Sequence, residues 1–176
     1  GLRGGVPMFL ISGVITFYLS FAPLFAQSMG YANASALFVF AAVAAVFVRF
    51  VAAKAFDRYS PLAVFLVPVA FGVLSLGAMY FIRTEAVFLA CGACYGVCLG
   101  FSIPLLNSVV VKAALPERYG AANALFLLCY DAGVGLAAVA WGAVYDLLGF
   151  EALFVVSTGV LAFISACVLF PRRRRR

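Results

Sequence analysis

The chain has 176 residues, of which 67% are hydrophobic and 10% charged, with 12 Lys and Arg against 6 Asp and Glu and no histidine. A soluble domain carries about a quarter charged residues, and a mean hydropathy of +1.18 excludes that class in favour of an integral membrane protein in contact with lipid bilayer. Ten-residue strands of alternating polarity are missing from the sequence, which argues against a barrel.

The first uncharged run, Gly4–Val48, is long enough for two spans, and Met29-Gly30-Tyr31-Ala32-Asn33 is its natural break. The first helix is predicted near 6–28. Ser12, Thr16 and Ser20 recur four apart on it and make a polar line on one face. Pro23 lies beyond that line and frees a backbone carbonyl. The pattern fits a helix lining a cavity, and it fits equally well hydroxyls bonded back to their own helix. The second helix, near 33–55, carries Arg49 close enough to its end to snorkel to the headgroups. A charged turn through Asp57 and Arg58 leads to a third helix near 61–82, which reads as peripheral and lipid-facing.

The fourth helix, near 86–111, has Gly92, Gly96 and Gly100 at intervals of four, a stripe that lets a neighbouring helix approach closely. Tyr95 and Asn107 are its candidates for polar contacts in a cavity. Cys91, Cys94 and Cys98 fall along one side and have the softness of metal ligands. In membrane helices cysteine is more often a small apolar residue, so neither metal nor cofactor is expected.

The fifth helix, near 119–145, is uncharged except for Asp131 at its centre. A carboxylate at mid-depth costs about 2.5–3.5 kcal/mol on insertion scales, so it must face protein or a wet cavity. That makes Asp131 the candidate for exchanging a proton. Gly135, Ala138 and Gly142 give the same helix a small face for packing. A sixth helix, near 152–171, ends in the basic tail Arg172–Arg176.

Alternating the connections between two sides places Arg3, Lys54, Arg58, Lys112, Arg118 and Arg172–Arg176 on one side, and Arg83 alone on the other. By the positive-inside rule both termini are cytoplasmic. The tail is then an anchor at anionic lipid, which accounts for the net charge of +6 without nucleic acid.

The chain also repeats itself. Ala36-Leu37-Phe38 recurs as Ala124-Leu125-Phe126, and Phe56-Asp57-x-x-Ser60-x-x-Ala63-x-Phe65 as Tyr145-Asp146-x-x-Gly149-x-x-Ala152-x-Phe154, at offsets of 88 and 89. With three helices per copy, equivalent helices cross in opposite directions. The expected fold class is an all-α membrane protein of six transmembrane helices in two inverted three-helix repeats. Residues 1–176 form one half-domain, with repeat 1 at about 5–85, repeat 2 at about 86–171 and the tail at 172–176.

These residues resemble the C-terminal six-helix half of the major facilitator superfamily of transporters. Ala53-x-x-x-Asp57-Arg58-x-Ser60 is similar to that family's cytoplasmic signature, with Ala53 and Ser60 replacing its two glycines and Pro61-Leu62 standing where bases are expected. Pro116-Glu117-Arg118-Tyr119-Gly120-Ala121-Ala122-Asn123-Ala124, with Asp131-x-Gly133-x-Gly135 and Trp141-Gly142 onward, resembles the penultimate helix of bacterial drug and sugar efflux members. The resemblance implies that the first and fourth helices line a central cavity and that the second and fifth meet an N-terminal six-helix half missing from this chain. The third and sixth would lie outside, and Asp57 and Arg58 would belong to a cytoplasmic gate.

The expected function is alternating-access movement of a small amphipathic molecule across a bacterial inner membrane, as proton-coupled efflux. The length of the chain also admits a non-transporting or self-pairing membrane module. An enzyme is not expected: a serine-type intramembrane protease needs a base for its nucleophile, and an aspartyl type needs a second facing carboxylate that Asp131 lacks.

Overall fold

The computed structural model describes residues 11–58, 61–81 and 83–169, and all regular structure among them is helical. The first helix, α1, spans Ile11–Ser28 and contains a π-helical turn, Phe17–Phe21. Its cause is Pro23, which has no N–H to give the carbonyl four residues back and whose ring crowds that carbonyl. The Ala22 N–H bonds Phe17 O instead, a bond of five-residue span. Ala36–Arg58 forms α2, Pro61–Phe81 forms α3 and Glu85–Lys112 forms α4. A 3₁₀ turn, Pro116–Arg118, leads into the helical segment Tyr119–Leu169.

That last segment is interrupted at Gly149, with φ 76° and ψ −173°, which separates α5 (119–148) from α6 (150–169). The loop expected between 145 and 152 is therefore one residue long. The ring of Phe150 meets Phe25, whereas Phe154 meets both Phe25 and Phe17 further back along α1. So α6 runs back down α1. The second helix starts three residues later than expected because Asn33 is engaged elsewhere: its N–H donates to Glu85 Oε1 at 2.9 Å, and its carbonyl accepts from the Ala36 N–H at 3.0 Å.

Ile11–Ser28, Glu85–Lys112 and the Pro116–Val160 stretch are long and apolar enough to cross a membrane, the last of these containing the Gly149 break. Ala36–Ala52 and Leu66–Phe81 are shorter apolar helical stretches. The central element is α4, which packs mainly on α2 and α3. A Cβ placed on Gly92 or Gly96 would sit 2.4 Å from Leu37 O or 2.1 Å from Ala41 O, and one on Gly100 3.0 Å from Ala45 O. The two backbones meet along this stripe at distances no larger residue allows.

Two features differ from the sequence reading. The third helix is not simply lipid-facing: Val64, Val69, Ser75, Leu76 and Met79 are buried, and only its other side, with Leu74 and Phe81, is exposed. Gly135 and Gly142 do not pack within the chain, since a Cβ on either would find nothing within 4 Å. The outward face of α5 is bare, with Leu128, Leu136 and Val139 exposed, and so is that of α2, with Phe47 and Phe50.

The α1–α2, α3–α4 and α5–α6 connections gather at one end of the bundle. Glu85 reaches Asn33 there, and Arg83 pairs with Glu151 at 3.2 Å. Both partners of the ion pair are exposed, so it contributes at most about 1 kcal/mol. Its value here is to place the three connections together.

Candidate functional site

The site grows from the π turn of α1. Ser12 and Thr16, on the helical side of that turn, are buried. Thr16 Oγ1 lies 2.8 Å from Ser12 O and 3.3 Å from Val134 O, so its proton is shared between its own helix and α5. Ser20 lies inside the π turn and is exposed. The wider turn takes it off the line that four-residue spacing predicts, so only the first two hydroxyls share a face.

The same turn presents Tyr18, a residue the sequence reading missed. Tyr18 is fully buried, and its hydroxyl bonds Ser75 Oγ on α3. Ser75 Oγ lies 3.1 Å from Cys91 O, and the Cys91 thiol donates to Ser75 O at 3.3 Å. This reciprocal pair ties α3 to α4, and Tyr18 adds α1. Cys91 thus takes a structural hydrogen-bonding role. Ser75 is the only serine in a helix otherwise almost free of hydroxyls, and that isolation was the available signal.

The Tyr18 ring stacks on Tyr95 of α4, with centroids 4.2 Å apart and planes 12° from parallel. Tyr95 is 2% exposed, yet its hydroxyl has no hydrogen-bond partner among the described residues. Tyr130 of α5 is half-buried and within electrostatic reach of both Tyr95 and Asp131. Asp131 itself is exposed and makes no ion pair among the described residues. Tyr95 is therefore buried against Tyr18, whereas Asp131, one residue on from Tyr130, is exposed.

Asn107 does not join them. It is half-buried with its Oδ1 unpartnered, but it follows Tyr95 by 12 positions on α4, about 18 Å along a helix axis. Asp57 and Arg58 close α2, and their side chains lie outside the described residues.

A second contact joins α1 to α5. Trp141 Nε1 donates to Gly13 O at 2.7 Å, with the indole buried beside an apolar cavity of about 190 Å³ lined by Gly13, Gly133, Leu136, Ala137, Ala140, Trp141 and Val160. Substituting Trp141→Phe keeps an aromatic ring but removes the donor. Thermal unfolding in detergent should show a loss of about 1 kcal/mol, the usual net worth of such a bond.

Comparison with known proteins follows the same lines. The family model described as Major Facilitator Superfamily matches residues 8–176. The chain is 24% identical over 179 aligned residues to the staphylopine export protein of Staphylococcus aureus (strain Mu50), an alignment covering 98% of this chain and 44% of that protein. The chain thus spans less than half the length of this relative. No solved structure matches it.

Proposed function

Because the chain belongs to the Major Facilitator Superfamily, we propose that it forms the C-terminal half of a secondary transporter that exports a small amphipathic molecule by alternating access, driven by protons. In this reading its six helices are two inverted three-helix repeats and both termini are cytoplasmic. The bare faces of α2 and α5 meet an N-terminal six-helix half. The observation that carries the reading is Asp131: a carboxylate midway along an apolar helix, exposed, with no ion pair among the described residues. A charge so placed is costly against lipid, and it suits a water-filled cavity between two halves. The export function named for the staphylococcal relative supports the direction. The same bare faces would serve a self-pairing module, which would appear as specific dimers of this chain in bilayers.

The test uses the complete coding sequence that contains these residues, expressed in inverted membrane vesicles energised to a pH gradient. Ethidium, a neutral alkyl glycoside and a naphthalenesulfonate are added in turn while an acidity-sensitive dye reports proton release. At least one of them should discharge the gradient, and Asp131→Asn should abolish that discharge while leaving the protein in the membrane. Equal discharge by Asp131→Asn removes Asp131 from coupling. Failure of all three solutes overturns proton-coupled export of amphipathic molecules.

A further inference from the structure

We propose that the cavity between α1, α5 and α6 is a subsite for one neutral, non-polar ring of the exported molecule, with Trp141 as a wall and Gly13 setting its size. The proposal rests on reading the chain as a transporter half and names the part of the molecule that this half would grip.

The cavity holds about 190 Å³. Sites for whole drug-sized molecules run to about 300–1,000 Å³, whereas an apolar cavity of about 150 Å³ takes benzene. The space therefore suits a single ring and is too small for a lipid acyl chain. Its lining carries no charged group and no hydroxyl. The one polar side-chain atom, Trp141 Nε1, already donates to Gly13 O at 2.7 Å, so what the indole presents is plain aromatic surface. Water needs about two to four polar partners and finds none there, and a charged ligand group would lie unpaired.

Gly13 is the residue that packing alone leaves unexplained. Its backbone is helical, and glycine inside a helix is less favourable than alanine. At Gly92 and Gly96 the backbone of a neighbouring helix demands glycine. At Gly13 a Cβ would stand 3.9 Å from both Ala137 Cβ and Trp141 Cζ2, an ordinary contact that alanine would make without moving anything. Alanine there would instead put a methyl group into the cavity. The glycine keeps open a space that is destabilising while empty, and a ring seated beside the indole offsets that.

The mouth lies where the lining is exposed, at Leu136 and Ala140 on the bare face of α5. In the transporter reading that face meets the other half. The polar remainder of an amphipathic molecule would then rest between the halves, with its ring against Trp141.

The experiment is binding of para-bromophenyl glucoside to the full-length protein in nanodiscs, followed by tryptophan fluorescence, since bromine quenches an indole that it touches. Trp141 is the one tryptophan of this chain, and Trp141→Phe supplies the blank for any others in the full-length protein. Quenching should be saturable and absent from the blank. Gly13→Ala should fold as well as the wild type by thermal unfolding and bind about tenfold more weakly, the effect of one carbon in an apolar pocket. Val160→Ala, which enlarges the cavity from α6, should admit bromonaphthyl glucoside, which the wild type should not bind. Leu74→Ala, exposed on α3, should change neither. No saturable quenching at Trp141, unchanged affinity in folded Gly13→Ala, or exclusion of the larger ring by Val160→Ala overturns the site. Quenching of Trp141 by brominated acyl chains of the nanodisc lipid, unrelieved by the unbrominated phenyl glucoside, would put lipid in the cavity and overturn it as well. Saturable binding at Trp141 with no proton-linked flux overturns the transport reading and leaves the site standing.

Discussion

Substituting Gly96→Val should leave almost no folded protein in detergent, whereas Gly77→Ala should unfold at or slightly above the wild-type temperature. A Cβ on Gly96 would lie 2.1 Å from Ala41 O and 2.8 Å from Ala41 Cα. Both are backbone atoms of α2, so no side-chain rotation relieves the clash and the helices must part. Overpacking a filled core costs about 1–3 kcal/mol where neighbours can yield, and here they cannot. Valine adds two further carbons and the χ1 restriction of a branched residue in a helix. Separation of α2 from α4 would spread to α3, because Ser75 and Cys91 hold α4 from the other side. Gly77 meets nothing within 4 Å, and alanine in an open helical position is better than glycine by about 1 kcal/mol. Thermal unfolding followed by size-exclusion chromatography checks both. Normal recovery of Gly96→Val would mean that α2 and α4 do not touch along this stripe.

The comparison of two glycine stripes shows what the sequence could and could not say. Gly92, Gly96 and Gly100 and, on α5, Gly135 and Gly142 look alike on paper, because spacing reports which residues share a face and nothing about what covers it. In the structure the first set is pressed against α2 and the second is open. Helix positions were legible to within a few residues because hydrophobic run length sets them. Asn33 shifted one start through a side chain on a distant connection, Glu85, which no local pattern carries. Tyr95 and Asp131 were legible as polarity in apolar helices. Tyr18 was not, since every residue from 11 to 18 is buried and no periodicity singles it out, and Ser75 was hidden by a helix that reads as plain lipid contact. The Tyr18–Ser75 and Ser75–Cys91 bonds act between helices, where one-dimensional periodicity is blind.

The reversal at Gly149 should prove as demanding as the stripe, for a different reason. Its φ of 76° and ψ of −173° fall in a region that essentially only glycine occupies, at a cost of about 1–3 kcal/mol for any other residue. A Cβ there would meet no neighbour within 4 Å, so the whole cost is in the backbone. This separates the position from an ordinary left-handed turn. Asparagine tolerates left-handed helical torsions, near +57° and +47°, but gains nothing at a ψ close to 180°. Gly149→Ala and Gly149→Asn should therefore lower the unfolding temperature alike. The sign of relaxation would be separation of Glu151 from Arg83, measured as a longer distance between labels placed at those two positions. A clear rescue by asparagine would show that α5 and α6 are joined by a left-handed turn, with α6 docked differently against Phe17 and Phe25.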